Sequence, residues 1–574
     1  MWLRIKKRLI QINKKLLSIP IFNRIIHSIY VLAGICYVIY VIALEPIFLI
    51  IIANIIISNI FLSSWVENIV LVISVIIYWF SAYILNWLKY LYTNVSMYFK
   101  KFKKLFTRYN KLYEPYKFRI TKKTRLLMYS FIIFFINIYW VLVFDPFINT
   151  FQKLWVLDYF GYYIYLGLDG ISLTFTFLTS FFIPLCILFI WNTNFSYKIQ
   201  YIYFLLSVEI LIIFVFMVLD LLWFYIFFEA ILMPFFLLIG LYGSRIRKIH
   251  ASYLLFFYTI CGSIWMLLSI IYIYIHTGTT NIQLLWSINY NNISEHLLWL
   301  SFFISFSVKI PIFPLHIWLP EAHVESPTEA SVILAAILLK IGIYGFLRFL
   351  IPMFPYLSFY YSNLILLLNI ISMVYTSLVT LRQIDIKRII AYSSVGHMNI
   401  CMIGIISFDI NSMIGSLIVM VGHGFISGGL FFLIGILYDR YKTKIIYYYS
   451  GISLHMPIYS MLLFFFILSN ISMPFTSNFI GELLILYKFV SEFHLILSVS
   501  ICIAIFMCTT YSIWLYNRVC FGLANHQRFK LMKDLSFLEL SILLPIVLFI
   551  FVIGIYPSLV IQYWTANVYY FFFY

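Results

Sequence analysis

The stretch KIPIFPLHIWLPEAH, Lys309–His323, places one lysine, three prolines, two histidines and a glutamate between apolar segments. Leu297–Val308 before it and Val332–Leu339 after it are almost wholly apolar. Pro311 and Pro314 have no backbone N–H to donate, so a helix running through them must break or kink. What such a break means depends on the solvent around it.

That solvent is lipid. The chain has 574 residues, 64% hydrophobic and 10% charged, with a mean hydropathy of +1.01. A soluble protein carries about 25% charged residues and could not hide this much apolar surface. Apolar runs of helix-crossing length recur, whereas a transmembrane barrel would show segments of about ten residues with alternating polarity. The expectation is an all-α polytopic membrane protein. At membrane depth, broken backbone is tolerated only inside protein or along a wet cavity. KIPIFPLH therefore reads as a discontinuous helix with Lys309 at the break.

The net charge of +18 sits mostly in short loops between apolar runs, where it sets orientation and is no sign of nucleic-acid binding. No GxGxxG or GxxxxGK[ST] stretch is present. The seven cysteines (Cys36, Cys186, Cys261, Cys401, Cys502, Cys508 and Cys520) form no CxxC pair, which argues against metal or iron–sulfur ligation.

The N-terminus MWLRIKKRLIQINKKLL is basic, amphipathic and free of acids. It has the pattern of a mitochondrial targeting segment or of an interfacial helix against anionic lipid, and the interfacial helix is the expectation. Residues 1–67 form an extension with about one further crossing, kinked at Glu45–Pro46. Residues 68–125 supply the first core helix and a basic loop, and 126–574 the remaining bundle. Merging the runs on either side of MPFTS, Met473–Ser477, into one broken helix leaves about 14 core helices.

An ionisable group at the bilayer centre costs about 2.5–3.5 kcal/mol, so each one is a functional candidate. Glu229, Lys309, Lys340 and Glu482 lie in apolar runs, and His316, His323, His397 and His423 lie in or beside them. A lysine beside a carboxylate keeps its proton and can release it when the pair opens. Histidines titrate near neutrality and pass protons on. Together these groups make a candidate proton path. The structural alternatives are a snorkelling Lys309, packed histidines, and a loop at His323 and Glu325 followed by a capping box from Ser326 to Glu329. Arg382, Asp385, Lys387 and Arg388 read as a solvated connection.

PLHIWLPEAHVESPTEASVILAAILLKIGIYGFLRF resembles the signature of the antiporter-like, proton-translocating subunits of respiratory complex I, the NADH:ubiquinone oxidoreductase, and in particular the mitochondrial chain 4 type. So do TLRQIDIKRIIAYSSVGHMN, VGHGFISGGLFFLIGILYDR and SNFIGELLILYKF. The resemblance runs from about Leu168 to Gly522. It implies 14 core helices in two inverted repeats, each with a broken helix. It matches Glu229 to the family's fifth-helix glutamate, Lys309 to the lysine at the first break and Lys340 to the central lysine. His397 and His423 match the histidines linking the centre to the exit half, Glu482 the terminal acid, and His316 and His323 the PLH and AH positions.

The resemblance also implies a multi-pass protein of the mitochondrial inner membrane. Its partners would be lipids and other membrane-arm subunits, including the antiporter-like subunits 2 and 5, with no nucleic acid. NADH, flavin, iron–sulfur clusters and ubiquinone would reside elsewhere in the complex, with no cofactor in this chain. The family has a small pair where this chain has Glu329-Ala330, and the N-terminal extension and basic loop have no family counterpart. A subunit of a multi-subunit cation/proton antiporter, sharing the Glu–Lys arrangement, is the alternative reading. A structural membrane module is the third.

Overall fold

The computed structural model describes residues 122–573, apart from 149, 160–161, 192–197, 289, 291, 492–494 and 523–532. The expected N-terminal extension, the core helix near 68–88 and nearly all of the basic loop lie outside the described residues.

The bundle opens with α1 (Lys122–Val143), followed by a hairpin of β1 (Lys153–Tyr159) and β2 (Tyr162–Leu168). Then come α2 (Gly170–Ile190), α3 (Lys198–Met217), α4 (Leu221–Tyr242) and α5 (Lys248–Thr277). α6 (Asn292–Lys309) stops at the lysine, and α7 (Trp318–Glu325) resumes beyond the two prolines. α8 spans Thr328–Met353, α9 Ser362–Thr380, α10 Ile386–Ile406 and α11 Ile410–Tyr441. α12 (Pro457–Asn470) and α13 (Ser477–Ser491) flank the Met473–Ser477 break. α14 (Leu495–Cys520), α15 (Phe537–Ile555) and α16 (Ser558–Phe573) complete the order.

Eleven of the described helices are long and apolar enough to cross a membrane. Counting each broken helix, α6–α7 and α12–α13, as one crossing adds two. The breaks then fall on the sixth and eleventh crossings from α1. Four crossings lie between them, an even number, so the two broken helices run in opposite directions. That is the relation an inverted repeat requires.

The apolar stretches of α8 and α11 are wholly buried and form the centre, while α1 and α14 mostly face outward. Polar side chains inside the helices are largely satisfied by their own backbone: Ser394, Ser416 and Thr376 each donate to the carbonyl three residues back. α2 starts on a capping box between Asp169 and Ser172, and α11 ends on Lys442 in the left-handed conformation. α2 packs on α16 at Gly170, where a Cβ would stand 1.7 Å from the Tyr563 carbonyl oxygen. Gly170→Ala must push backbone apart, at a cost of about 1–3 kcal/mol. The expected reading is a lower thermal midpoint for the detergent-solubilised protein, and an unchanged midpoint would contradict this packing.

Several sequence expectations need correction. Ser326 and Glu329 form no capping box. Pro327 takes the N-cap position of α8 without a side-chain bond, and the Ser326 hydroxyl donates back to the His323 carbonyl. His323 and Glu325 lie within α7 and not in a loop, because the break consumes its irregular residues between Ile310 and Ile317. The solvated connection holds for exposed Arg382 but not for Lys387, which packs under the α7–α8 junction and is buried. The apolar run over residues 538–562 is not one helix: it breaks at Tyr556–Pro557 into α15 and α16. The hairpin at 153–168 is an addition that helical reasoning passed over.

Candidate functional site

Lys309 ends α6 with its side chain buried, and its ammonium lies 4.2 Å over the Phe228 ring. That cation–π contact substitutes for hydration. Glu229 is the next residue along α4, half-buried, and each charge acts on the other. They are not in ion-pair contact, so the pair is open. Gly342 on α8 presses close to Lys309, since an added Cβ would stand 3.1 Å from the lysine Cβ. The break thereby brings Lys309 against the central helix two residues beyond Lys340.

Lys340 lies on α8 between two π-helical turns, Leu334–Leu338 and Phe346–Leu350. It is fully buried. Its ammonium donates to the Ala335 carbonyl at 2.6 Å and lies 3.1 Å from His423 Nδ1 on α11. The His423 ring stands 5.3 Å, centroid to centroid, from the His397 ring on α10. His397 Nδ1 in turn is 3.2 Å from Glu482 Oε1 on α13. Neither of those two atoms has an aligned hydrogen bond, so the contact is one of charge proximity. Four helices thus place Lys340, His423, His397 and Glu482 in an unbroken line of neighbours.

Beyond His397 and Glu482 is a cavity of about 20 Å³, also lined by Ser377, Tyr392, Asn470 and Cys508. A water needs about 10–15 Å³ and two to four polar partners, and this cavity offers both. Cys508 Sγ lies 3.9 Å from His397 Nε2 and 2.9 Å from the Tyr511 hydroxyl.

The remaining two histidines lie off this line. His316 is surrounded by Phe313, Tyr375 and Tyr392, the last of which also lines the cavity. His323 stacks on Phe431 at 4.9 Å, and neither ring nitrogen has a hydrogen-bond partner.

The structure adds buried ionisable groups that the candidate set omits. Asp169 and Arg348 form an ion pair between α2 and α8, both side chains 4% exposed. Glu209 on α3 is buried with both oxygens unpartnered. Its signal was available, since SVEILII carries an acid in an apolar run, as the surroundings of Glu229 do. Glu325, Lys387 and Lys444 gather at the α7–α8 junction. Lys387 donates to the Ser326 carbonyl at 3.1 Å, and Lys444 donates to Val324 and, at 2.6 Å, to Ser244. Lys444 lies outside the spans. Burial pushes it down to about 8, against the pull of Glu325 and with the push of Arg245.

A family model described as NADH:quinone oxidoreductase/Mrp antiporter, TM, matches residues 218–508. The NADH-ubiquinone oxidoreductase chain 4 of Chondrus crispus is 49% identical over 417 residues, covering 72% of this chain and 84% of that one. The chain 4 of Marchantia polymorpha is 48% identical over 406 residues, covering 71% and 82%. Among solved structures, a chain of respiratory complex I from Thermus thermophilus with bound NADH superposes with a TM-score of 0.71 at 26% identity, covering 79% of this chain and 95% of that one. A chain of the Mrp complex from Dietzia sp. DQ12-45-1b gives 0.69 at 17% identity, covering 79% and 92%, a likeness of fold alone.

Proposed function

This chain belongs to the NADH-ubiquinone oxidoreductase chain 4 family, and from that premise we propose that it is a proton-translocating membrane-arm subunit of mitochondrial complex I whose relay comprises Glu229, Lys309, Lys340, His423, His397 and Glu482. The observation that carries the relay is the buried line Lys340–His423–His397–Glu482, with contacts of 3.1 and 3.2 Å at its two ends. Buried charges are costly to keep without use.

The chemistry is proton transfer alone. Lys340 holds a proton against Ala335 and passes it to the imidazole nitrogen it already faces. His423 and His397 exchange it by ring rotation or through a water, and Glu482 receives it beside the cavity. At the other end, closing and opening of the Glu229–Lys309 pair moves charge toward or away from the central helix. His316 and His323 serve as flanking stations. Energy arrives from subunits that hold the flavin, iron–sulfur clusters and quinone site, since this sequence has no CxxC pair and no nucleotide-binding loop. The partners are the other membrane-arm subunits, the antiporter-like subunits 2 and 5 among them, in the mitochondrial inner membrane. The identity to chain 4 relatives favours this reading over a cation/proton antiporter subunit, which shares the fold.

Lys309→Met and Glu229→Gln test the first half of the relay. Loss of a positioned acid–base group slows proton transfer by about 100-fold or more. The expected result is fewer protons pumped per NADH oxidised in sealed membrane particles. Unchanged stoichiometry in both variants would remove the relay assignment.

A further inference from the structure

Glu329 has no part in the line described above, yet it is 1% exposed on the first turn of α8. Its Oε2 accepts a hydrogen bond from Tyr201 at 3.1 Å, while Oε1 has no hydrogen-bond partner. A carboxylate kept only for packing would have its lone pairs filled.

The groups around it come from several elements. Tyr201 lies on α3, and Cys186 on α2 stands 3.8 Å from the Glu329 carbonyl oxygen. Asp439 on α11 acts on Glu329 through charge, and Lys444, Glu329 and Asp439 act on Lys387 on α10. Glu325 ends α7 and acts on Lys387 as well. Lys387, 1% exposed, sits on the Ser326 carbonyl, three residues before Glu329 and three after His323. It makes no ion-pair contact with Glu329. His323, fully buried, has two unpartnered ring nitrogens and feels the charges of both Lys387 and Lys340.

We propose that Glu329 and Lys387 form a second open Glu–Lys pair, beside His323, by which this chain exchanges protons at the α7–α8 junction. The inference rests on the relay reading above. The Glu329 carboxyl gives its proton to the neutral Lys387 amine, leaving carboxylate and ammonium. The ammonium, seated on the Ser326 carbonyl, returns the proton to the carboxylate or gives it to a free nitrogen of His323, whose carbonyl accepts from the Ser326 hydroxyl at the same junction. The arrangement repeats that of Glu229 and Lys309, a buried lysine parked on a non-acidic partner within electrostatic reach of a carboxylate. It supplies a use for the acid that replaces a small residue of the family pattern.

The test is Glu329→Gln, Glu329→Ala and Glu329→Asp in the intact complex, assayed for protons pumped per NADH across a pH series, with Lys309→Met alongside. Removing a charge beside a buried partner moves a titration by about 1–3 units. The Gln and Ala variants are therefore expected to lose pumping at a pH lower by about one unit, and the Asp variant to recover most of the wild-type profile. A wild-type profile for Glu329→Gln, with pumping lost in Lys309→Met, overturns this inference and leaves the relay standing. Wild-type pumping in Lys309→Met overturns the relay and this branch with it. If the Glu329 variants do not assemble, dicyclohexylcarbodiimide on the wild-type complex decides, because it adds to protonated carboxyls in apolar surroundings. An adduct on the Glu329 peptide supports proton uptake there, and its absence overturns it.

Discussion

Lys340→Met is expected to slow proton transfer through this chain by about 100-fold or more. Methionine fills a similar volume, so α8 and α11 keep their packing, and removing a buried charge that has no carboxylate partner within ion-pair distance orphans no acid. What is lost is the group that donates to the Ala335 carbonyl and faces His423. Lys340→Arg sharpens the test. A guanidinium keeps the charge but does not give up its proton in a protein. If Lys340 carries protons, Arg fails as Met does. If the residue serves only as a fixed charge, Arg restores pumping. Both variants are read as protons pumped per NADH in sealed membranes, with assembly checked on native gels.

Arg348→Leu carries the largest expected cost in stability. It leaves the Asp169 carboxylate buried and unpaired between α2 and α8, and breaking a buried pair from one side costs about 3–5 kcal/mol. Asp169 also accepts from the Ser172 amide at the head of α2, so the orphaned charge sits where the helix begins. The expected result is poor assembly or a much lower thermal midpoint. Replacing both partners is far less harmful than replacing one. Asp169→Asn combined with Arg348→Leu keeps a capping oxygen without the charge and should recover most of the loss. A single variant as stable as wild type, or a double variant no better than the single, would show that the pair does not hold α2 to α8.

Much of this was legible from residue order. Continuous apolar runs of crossing length admit one solution in lipid, the helix, and prolines at 311 and 314 admit one consequence, a break. Glu229, Lys309, Lys340 and Glu482 stand out because a charge in an apolar run is expensive. Their arrangement in space was not legible. Lys340, His423, His397 and Glu482 come from four helices, and no spacing rule says which faces meet. Lys387 and Lys444 were hidden for a different reason. RQIDIKR and YKTK look like solvated turns, and only packing of the α7–α8 junction over them makes them buried. The hairpin was missed because residues 145–170 fall between two apolar runs, and a search for segments of crossing length does not look for paired strands in a connection.

The two π-turns in α8 have a consequence of phase. Each carries about one residue more than an α-turn, and one residue corresponds to about 100° of rotation about the helix axis. The turn at Leu334–Leu338 therefore sets the compass bearing at which Lys340 leaves the helix, and the turn at Phe346–Leu350 resets the bearing for everything after it. In this helix the number of residues is itself a constraint, as strict as their chemistry. A substitution between Pro327 and Lys340 alters one contact, whereas a one-residue insertion or deletion would turn the lysine away from His423 while leaving every side chain intact.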